Sequence, residues 1–350
     1  MSTNTLQIIE GQYLRDILDQ PRALTATLEQ LEVSKDLGLV AARLRDKKIK
    51  RVVLTGMGAS FHALYPLFLR FNECSHFALV VETSELVYSL ERWLDPETLI
   101  IAASQSGQSA EIVRLLEANR GRAAIVAVTN AVESPLALHA NAVLLTKAGA
   151  ESSVSCKTYT TALMALHLLG GLFCGADAGE TREELAQAIP AVASYLAGWR
   201  DHVFEMTEEL GETRDVFLVG RGTSLAAAGE GGLILKESVR IHAEGMSGAG
   251  FRHGPLEMVN AKTFAVIFAG AAATRALQAK LRDSIVEGGG KTCWIAEEIE
   301  PGPWNLPRSA AGVRPMLEIL PVQLMTIALA ADAGIEAGRF TRIPKVTTTE

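Results

Sequence analysis

Two stretches, "RVVLTGMGAS" (51–60) and "DVFLVGRGTS" (215–224), limit what this chain can fold into more than any other feature. Each is a short aliphatic run, apolar on both faces, closed by a Gly-x-Gly-x-Ser turn. Such runs belong inside a parallel sheet that helices cover on both sides. The elements downstream of each run agree. After the first come a helix (62–73), strand (77–82), helix (84–91), strand (98–103), helix (109–119), strands 123–128 and 142–145, and a helix (157–173). After the second come a helix (225–240), strand (263–269), helix (273–286), strand (291–296) and a last helix (321–333). The pattern starts twice, so the chain reads as α/β with two tandem doubly wound parallel-sheet domains, each in three layers. The expected division is an N-terminal helical segment 1–48, a first domain 49–185, a helical connector 186–212 containing Pro190, and a second domain 213–350 that carries the C-terminal tail.

The repeat also separates fold from function. "TLIIAASQSGQSAEIVRLLE" (98–117) aligns with "TFAVIFAGAAATRALQAKLR" (263–282). Strand and helix are kept, but Ser104, Gln105 and Ser106 become Ala269, Gly270 and Ala271. The fold therefore does not need those polar groups. Parallel sheets bind ligands at the carboxyl ends of their strands, and a helix start there offers free N–H groups and a positive dipole end. Ser104, Gln105, Ser106 and Ser109 add neutral donors suited to the oxygens of an anion, with Ser60 at the neighbouring turn. Taken singly, Ser109 reads as a helix cap and the other serines as turn residues. As a set with a blank counterpart, they read as a phosphate-type loop.

A second constellation lies in "GEGGLILKESVRIHAEGMSGAGFRHGPLEMV" (229–259). Glu230 and Glu237 are two turns apart on one helix face, and a carboxylate on an apolar helix is costly unless paired or used. Lys236 and Arg240 are candidate pairing partners. His242 and His253 flank a glycine-rich loop, and the tail "RFTRIPKVTTTE" carries Arg339, Arg342 and Lys345. No two of the seven histidines stand at ligand spacing, so no metal site is expected. Without a P-loop or dinucleotide fingerprint, no cofactor is expected either.

A formal net charge of −7 argues against a nucleic-acid binder. The four cysteines are far apart in sequence and read as reduced thiols of a cytoplasmic protein. The opening residues lack a signal-peptide pattern, and "ALMALHLLGGLFCGA", with its histidine and glycine pair, reads as a core helix and not a membrane span.

Together these blocks resemble the sugar isomerase (SIS) family over about residues 40–350. Within it, they resemble the tandem isomerase half of glutamine–fructose-6-phosphate aminotransferase and its stand-alone phosphosugar isomerase and deaminase relatives. "SQSGQSAE" resembles the family's Ser-Gln-Ser-Gly-x-[Ser/Thr] phosphate loop, and "GMGAS" its preceding turn. "LKESVRIHAE…FRHGPLEMV" is similar to the family's Lys-Glu…His-Ala-Glu…His-Gly-Pro-Leu block, and "PKVTTTE" to its closing residues. The resemblance implies flavodoxin-like modules in a homodimer whose sites are shared between subunits. It implies that Ser60, Ser104, Gln105, Ser106 and Ser109 hold the phosphate, with Gly58, Val154 and Glu230 among the substrate-binding positions. Glu237 is then the base that moves a proton between C1 and C2. His253, from the neighbouring subunit, assists ring opening, and Lys345 sits at the open-chain carbonyl or amine.

Three departures stand out. The aminotransferase's glutaminase domain has a cysteine nucleophile directly after Met1; here Ser2 follows Met1 and no room is expected for such a domain. Ile234 stands where the family often has a lysine. "ESSVSCKTYTT" (151–161) is one residue shorter than its family counterpart. The expected activity is aldose–ketose isomerisation of a C6-anionic, 6-phospho hexose through an enediol, with or without amine release. The same reaction on a 6-sulfonate hexose, a non-catalytic sugar-phosphate sensor, and an aminotransferase subunit fed ammonia by a partner are the alternatives.

Overall fold

The computed structural model describes residues 9–342, 344–347 and 349. It contains two five-stranded, all-parallel sheets. The first comprises β1 (Arg51–Gly56), β2 (Ala78–Glu82), β3 (Thr98–Ala103), β4 (Ala124–Thr129) and β5 (Ala142–Leu145), in the order β2-β1-β3-β4-β5. The second comprises β6 (Asp215–Gly220), β7 (His242–Ser247), β8 (Thr263–Phe268), β9 (Lys291–Glu297) and β10 (Asn305–Leu306), in the order β10-β9-β8-β6-β7. The expected α/β architecture of two doubly wound parallel sheets is what the chain adopts. In each sheet the strand order reverses beside the first strand, between β1 and β3 and between β6 and β8, and the reversal opens a crevice at the carboxyl ends.

The aliphatic runs explain the strands. All six residues of β3, β4 and β8 are buried. In the first sheet Val53, Ile100 and Ile125 pack with Ile112 and Leu115 of helix α2 (Ala110–Asn119). In the second, Phe217, Val219 and Ile267 pack with Leu281 and Ile285 of α5 (Ala272–Glu287). Each such side chain contributes about 1.5–3 kcal/mol by leaving water. The first sheet's other helices include α1 (Tyr65–Glu73) and α3 (Lys157–Phe173); the second sheet's include α4 (Leu225–Ser238) and α6 (Arg314–Asp332).

The chain divides into two compact units with interleaved boundaries. One holds the first sheet, in Arg22–Glu151, Lys157–Ala186 and the C-terminal segment from Arg342. The other holds the second sheet, in Gln187–Thr341, with Ser152–Cys156 and the N-terminal segment to Pro21. Sequence order alone assigns the tail to the second domain and the N-terminal helices to neither. The N-terminal segment is anchored in the second unit by buried polar groups: Gln20 Nε2 donates to Gln323 Oε1 at 2.8 Å, and Ser153 Oγ donates to Asp16 at 2.8 Å.

Among the departures from expectation, two have a clear physical reason. "HAEGMS" forms β7 instead of a loop. It lacks an aliphatic run because it is an edge strand paired only with β6, and because its middle must be small. A Cβ on Gly245 would stand 2.0 Å from the Ala228 carbonyl oxygen of α4, and one on Gly232 would stand 2.6 Å from the Gly245 nitrogen. Gly245→Ala is therefore expected to cost about 1–3 kcal/mol, read as a lower urea midpoint; an unchanged midpoint would mean that strand and helix can separate at no cost. The second departure is α6, which starts at Arg314 and runs through Pro321, where a proline-led start was expected. Its apolar surface is buried on every side, and that packing outweighs the hydrogen bond the proline removes. Among the described residues α6 alone is long and apolar enough to cross a membrane, and 89% of its 18-residue apolar stretch is buried inside the protein.

Candidate functional site

The serine loop sits at the carboxyl end of β3, beside the strand-order reversal. Its backbone is held from several sides. Ser104 N–H donates to the Val128 carbonyl at 3.0 Å, Asn130 N–H to the Gln105 carbonyl at 3.1 Å, and Leu136 N–H to the Gly107 carbonyl at 3.0 Å. Gly107 has φ +61°, and a Cβ there would stand 2.1 Å from Ser134 Oγ, so only glycine fits. Ser104 Oγ accepts the Gly107 N–H at 3.1 Å, and Ser106 Oγ accepts the Gln108 N–H at 3.4 Å. Ser109 stands at the cap position of α2 with extended backbone, yet its side chain makes no capping bond. Gly58, at φ +51°, opens the short helix Gly58–Ala63 that follows β1, and Ser60 lies in its first turn, half-buried.

The C-terminal tail closes on the same helix start. The Thr347 carbonyl accepts the Ala110 N–H at 3.1 Å, taking one of the donors that a helix start leaves open. Lys345 Nζ lies 2.6 Å from Glu151 Oε2, whose side chain is wholly buried. Glu151 also accepts the Thr158 N–H at 3.1 Å, so one carboxylate joins the first turn of α3 to the tail. The serine loop and Lys345 thus belong to one unit. Glu151 was not singled out from sequence, because its partner is 194 residues away.

The remaining expected residues lie in the other unit. Glu237 is half-buried near the end of α4, and Ile234, on the same helix, is fully buried. Glu230 is 0% exposed and lies beside Tyr13. Burial holds the Tyr13 hydroxyl well above its ordinary pKa, and the nearby Cys156 and Glu230 push it the same way. Val154 is also fully buried. His253 is exposed and ends the short helix Gly248–Arg252, just before Gly254 at φ +133°.

The second crevice differs because the protein fills it. Gln278 Nε2 donates to the Val219 carbonyl at 3.1 Å and the Phe268 carbonyl at 3.2 Å, and its Oε1 accepts from Arg221 Nε at 3.2 Å. Ser224, the counterpart of Ser60, donates to Glu318 Oε1 at 2.8 Å. Glu318 Oε2 has no hydrogen-bond partner among the described residues and lines a cavity of about 10 Å³, room for one water. Burial raises the Glu318 carboxyl to about 7, against the lowering effects of Ser224 and Arg314 and with a smaller upward push from Glu297. Sequence reasoning passed over Glu318, although a lone carboxylate in "RPMLEILPVQLM" carries the same signal that drew attention to Glu230.

Comparison with known proteins agrees with the fold. The SIS domain family matches residues 44–170 and 209–300. The chain is 31% identical over 367 residues to glutamine–fructose-6-phosphate aminotransferase (isomerizing) of Pyrococcus horikoshii, covering 99% of this chain and 60% of that protein. It thus spans about three-fifths of the length of such relatives. The crystal structure of a candidate phosphosugar isomerase from Silicibacter pomeroyi superposes with a TM-score of 0.76 at 27% identity, over 93% of this chain and 99% of that one. Tagatose-6-phosphate ketose/aldose isomerase of Escherichia coli shares the fold with a TM-score of 0.80 at 20% identity, over 95% and 97% of the two chains. Because the family match covers more than half of its residues, the chain belongs to the SIS domain family.

Proposed function

We propose that the protein is an aldose–ketose isomerase of a C6-anionic hexose, acting through an enediol intermediate. The observation that carries this reading is the contrast between the crevices. One is filled by Gln278, Arg221 and Glu318. The other keeps a glycine-shaped serine loop whose Ser109 hydroxyl does no capping work. A helix start with hydroxyl donors suits a phosphate or a sulfonate, and phosphate is the stronger fit because it carries more charge. In this reading Ser60, Ser104, Gln105, Ser106 and Ser109 hold the anion, with Gly58, Val154 and Glu230 shaping the pocket. Glu237 moves the proton between C1 and C2. His253 of a neighbouring copy in a cytoplasmic homodimer opens the ring, near neutral pH where histidine exchanges protons readily. Lys345, steered by Glu151, approaches the C2 substituent; an amino group there would leave as the amine.

The test is a thermal-shift screen of glucosamine-, galactosamine-, glucose- and fructose-6-phosphate, fructosamine-6-phosphates and a 6-sulfonate hexose, followed by NMR of the C2 proton. A ligand that stabilises the protein and exchanges that proton supports the isomerase. Stabilisation without exchange or turnover would point to a sensor, and product from fructose-6-phosphate with ammonia to an aminotransferase subunit. For the best ligand, Ser106→Ala with Ser109→Ala should weaken binding by about 1.5–3 kcal/mol per hydroxyl, roughly tenfold to a hundredfold each. Equal affinity would put the anion elsewhere. Mixing inactive Glu237→Gln and His253→Ala chains should restore activity in verified heterodimers. No recovery would remove the shared site.

A further inference from the structure

Cys74 and Cys174 meet on the first-sheet unit, far from the serine loop in sequence and without a part in the isomerisation. Cys74 ends α1, and Cys174 directly follows α3. The Arg70 carbonyl accepts the Cys74 N–H at 3.0 Å, and Cys174 Sγ lies 3.7 Å from the same oxygen. The two cysteines therefore converge on one carbonyl oxygen. The seam between the two helices is fixed. Arg70 Nη1 donates to the His167 carbonyl at 3.2 Å, and Phe71 stacks on Phe173 at 6.0 Å. A Cβ on Gly170 would stand 2.9 Å from both Leu67 Cδ1 and Arg70 Cδ, so the helices lie close together.

Cys74 is exposed and lies on the wall of a cleft of about 430 Å³ that is also lined by Arg45, Lys47, Lys50, Arg51 and His76. Lys50 is paired with Glu97 and Arg51 with Asp95. Arg45 and Lys47 form no ion pair among the described residues, so the cleft keeps a cationic rim. Its size suits a small peptide-like molecule, and its charge an anionic one.

We propose that Cys74 and Cys174 are a redox pair that a small anionic disulfide converts to an intramolecular disulfide, entering at Cys74. The Cys74 thiolate attacks one sulfur of the incoming disulfide, whose S–S bond breaks and releases one thiolate. The Cys174 thiolate then attacks the Cys74 sulfur, the mixed S–S bond breaks, and the second small thiolate leaves. Two protein thiols are oxidised, one small disulfide is reduced to two thiols, and the two protons pass to those leaving groups. The order of events follows from the environments. Burial, the Cys74 thiol and its charge push the Cys174 thiol up to about 12, so Cys174 does not attack first. Once Cys74 is in a mixed disulfide it carries no charge, and that part of the barrier to Cys174 ionisation is gone.

The test incubates the full chain with glutathione disulfide, and in parallel with the neutral bis(2-hydroxyethyl) disulfide, and follows it by intact mass and peptide mapping. Wild type should lose two of its four thiols and yield one peptide pair joined through Cys74 and Cys174, with no retained adduct. Cys174→Ser should stop at a single mixed disulfide on Cys74. Cys74→Ser should keep its three thiols, with an unchanged circular-dichroism spectrum showing that it is folded. The anionic reagent should react several-fold faster than the neutral one, and salt should erase the difference. An adduct that persists in wild type, a bridge to Cys156 or Cys293, or oxidation that survives Cys74→Ser would overturn the proposal. Equal rates for the two reagents would overturn the part assigned to the cleft.

Discussion

Glu237→Gln should reduce turnover by about 10²–10⁴-fold while leaving sugar-phosphate affinity within a few-fold of wild type. The side chain is half-buried near the end of α4, so the carboxamide occupies the same volume and disturbs little. The change is one of chemistry: a carboxylate can take a proton from carbon and return it to the next, and an amide cannot. C2-proton exchange measured by NMR separates this from a later step, because exchange needs only the first transfer. A variant that binds but does not exchange places Glu237 at the reacting carbons. A variant that exchanges normally removes it from the mechanism and returns attention to Lys345 and Glu151.

Glu318→Gln should change stability in a pH-dependent way, by about 3 kcal/mol above pH 7. Burial raises the carboxyl from its ordinary 4.5 to about 7. The folded protein therefore binds this proton more tightly than the unfolded chain does. The resulting stability is fully present below about pH 4.5 and is lost as pH rises through about 7. The amide carries no charge at any of these values and still accepts the Ser224 hydroxyl. Urea midpoints of the wild type, referred to those of the variant, should fall between pH 5 and 8 by an amount equivalent to about 3 kcal/mol. Parallel curves would mean that a bound water or a shifted cation relieves the Glu318 charge.

The fold was legible where one physical rule dominates. β1, β3, β6 and β8 are aliphatic on both faces, and only a covered parallel sheet accepts that pattern. β7 was hidden because packing against α4 demands a glycine where a strand usually shows a β-branched residue. The start of α6 was hidden because Pro321 marks a beginning locally, while burial on every side carries the helix past it. At the site, the serine loop was legible from its blank counterpart. The reason for the blankness was not: Gln278 and Glu318 reach Arg221 and Ser224 from residues 57 and 94 positions away. The tail was marked by its residue types, but its partner Glu151 depends on long-range pairing that no local pattern reports.

The interleaving of the two units bears on how the protein is made. The first-sheet unit needs Lys345 and Thr347, and the second-sheet unit needs Tyr13 and Gln20 from the opposite end. A ribosome delivers the first sheet early, but a nascent chain that has not reached Thr347 cannot seat the tail against Glu151 and Ala110. Translation therefore sets the order of assembly, with the serine loop's helix start completed only after both sheets have been made. A stalled or prematurely released product would lack the tail at that helix start, and the Ala110 N–H and the Glu151 carboxylate would each lose a partner.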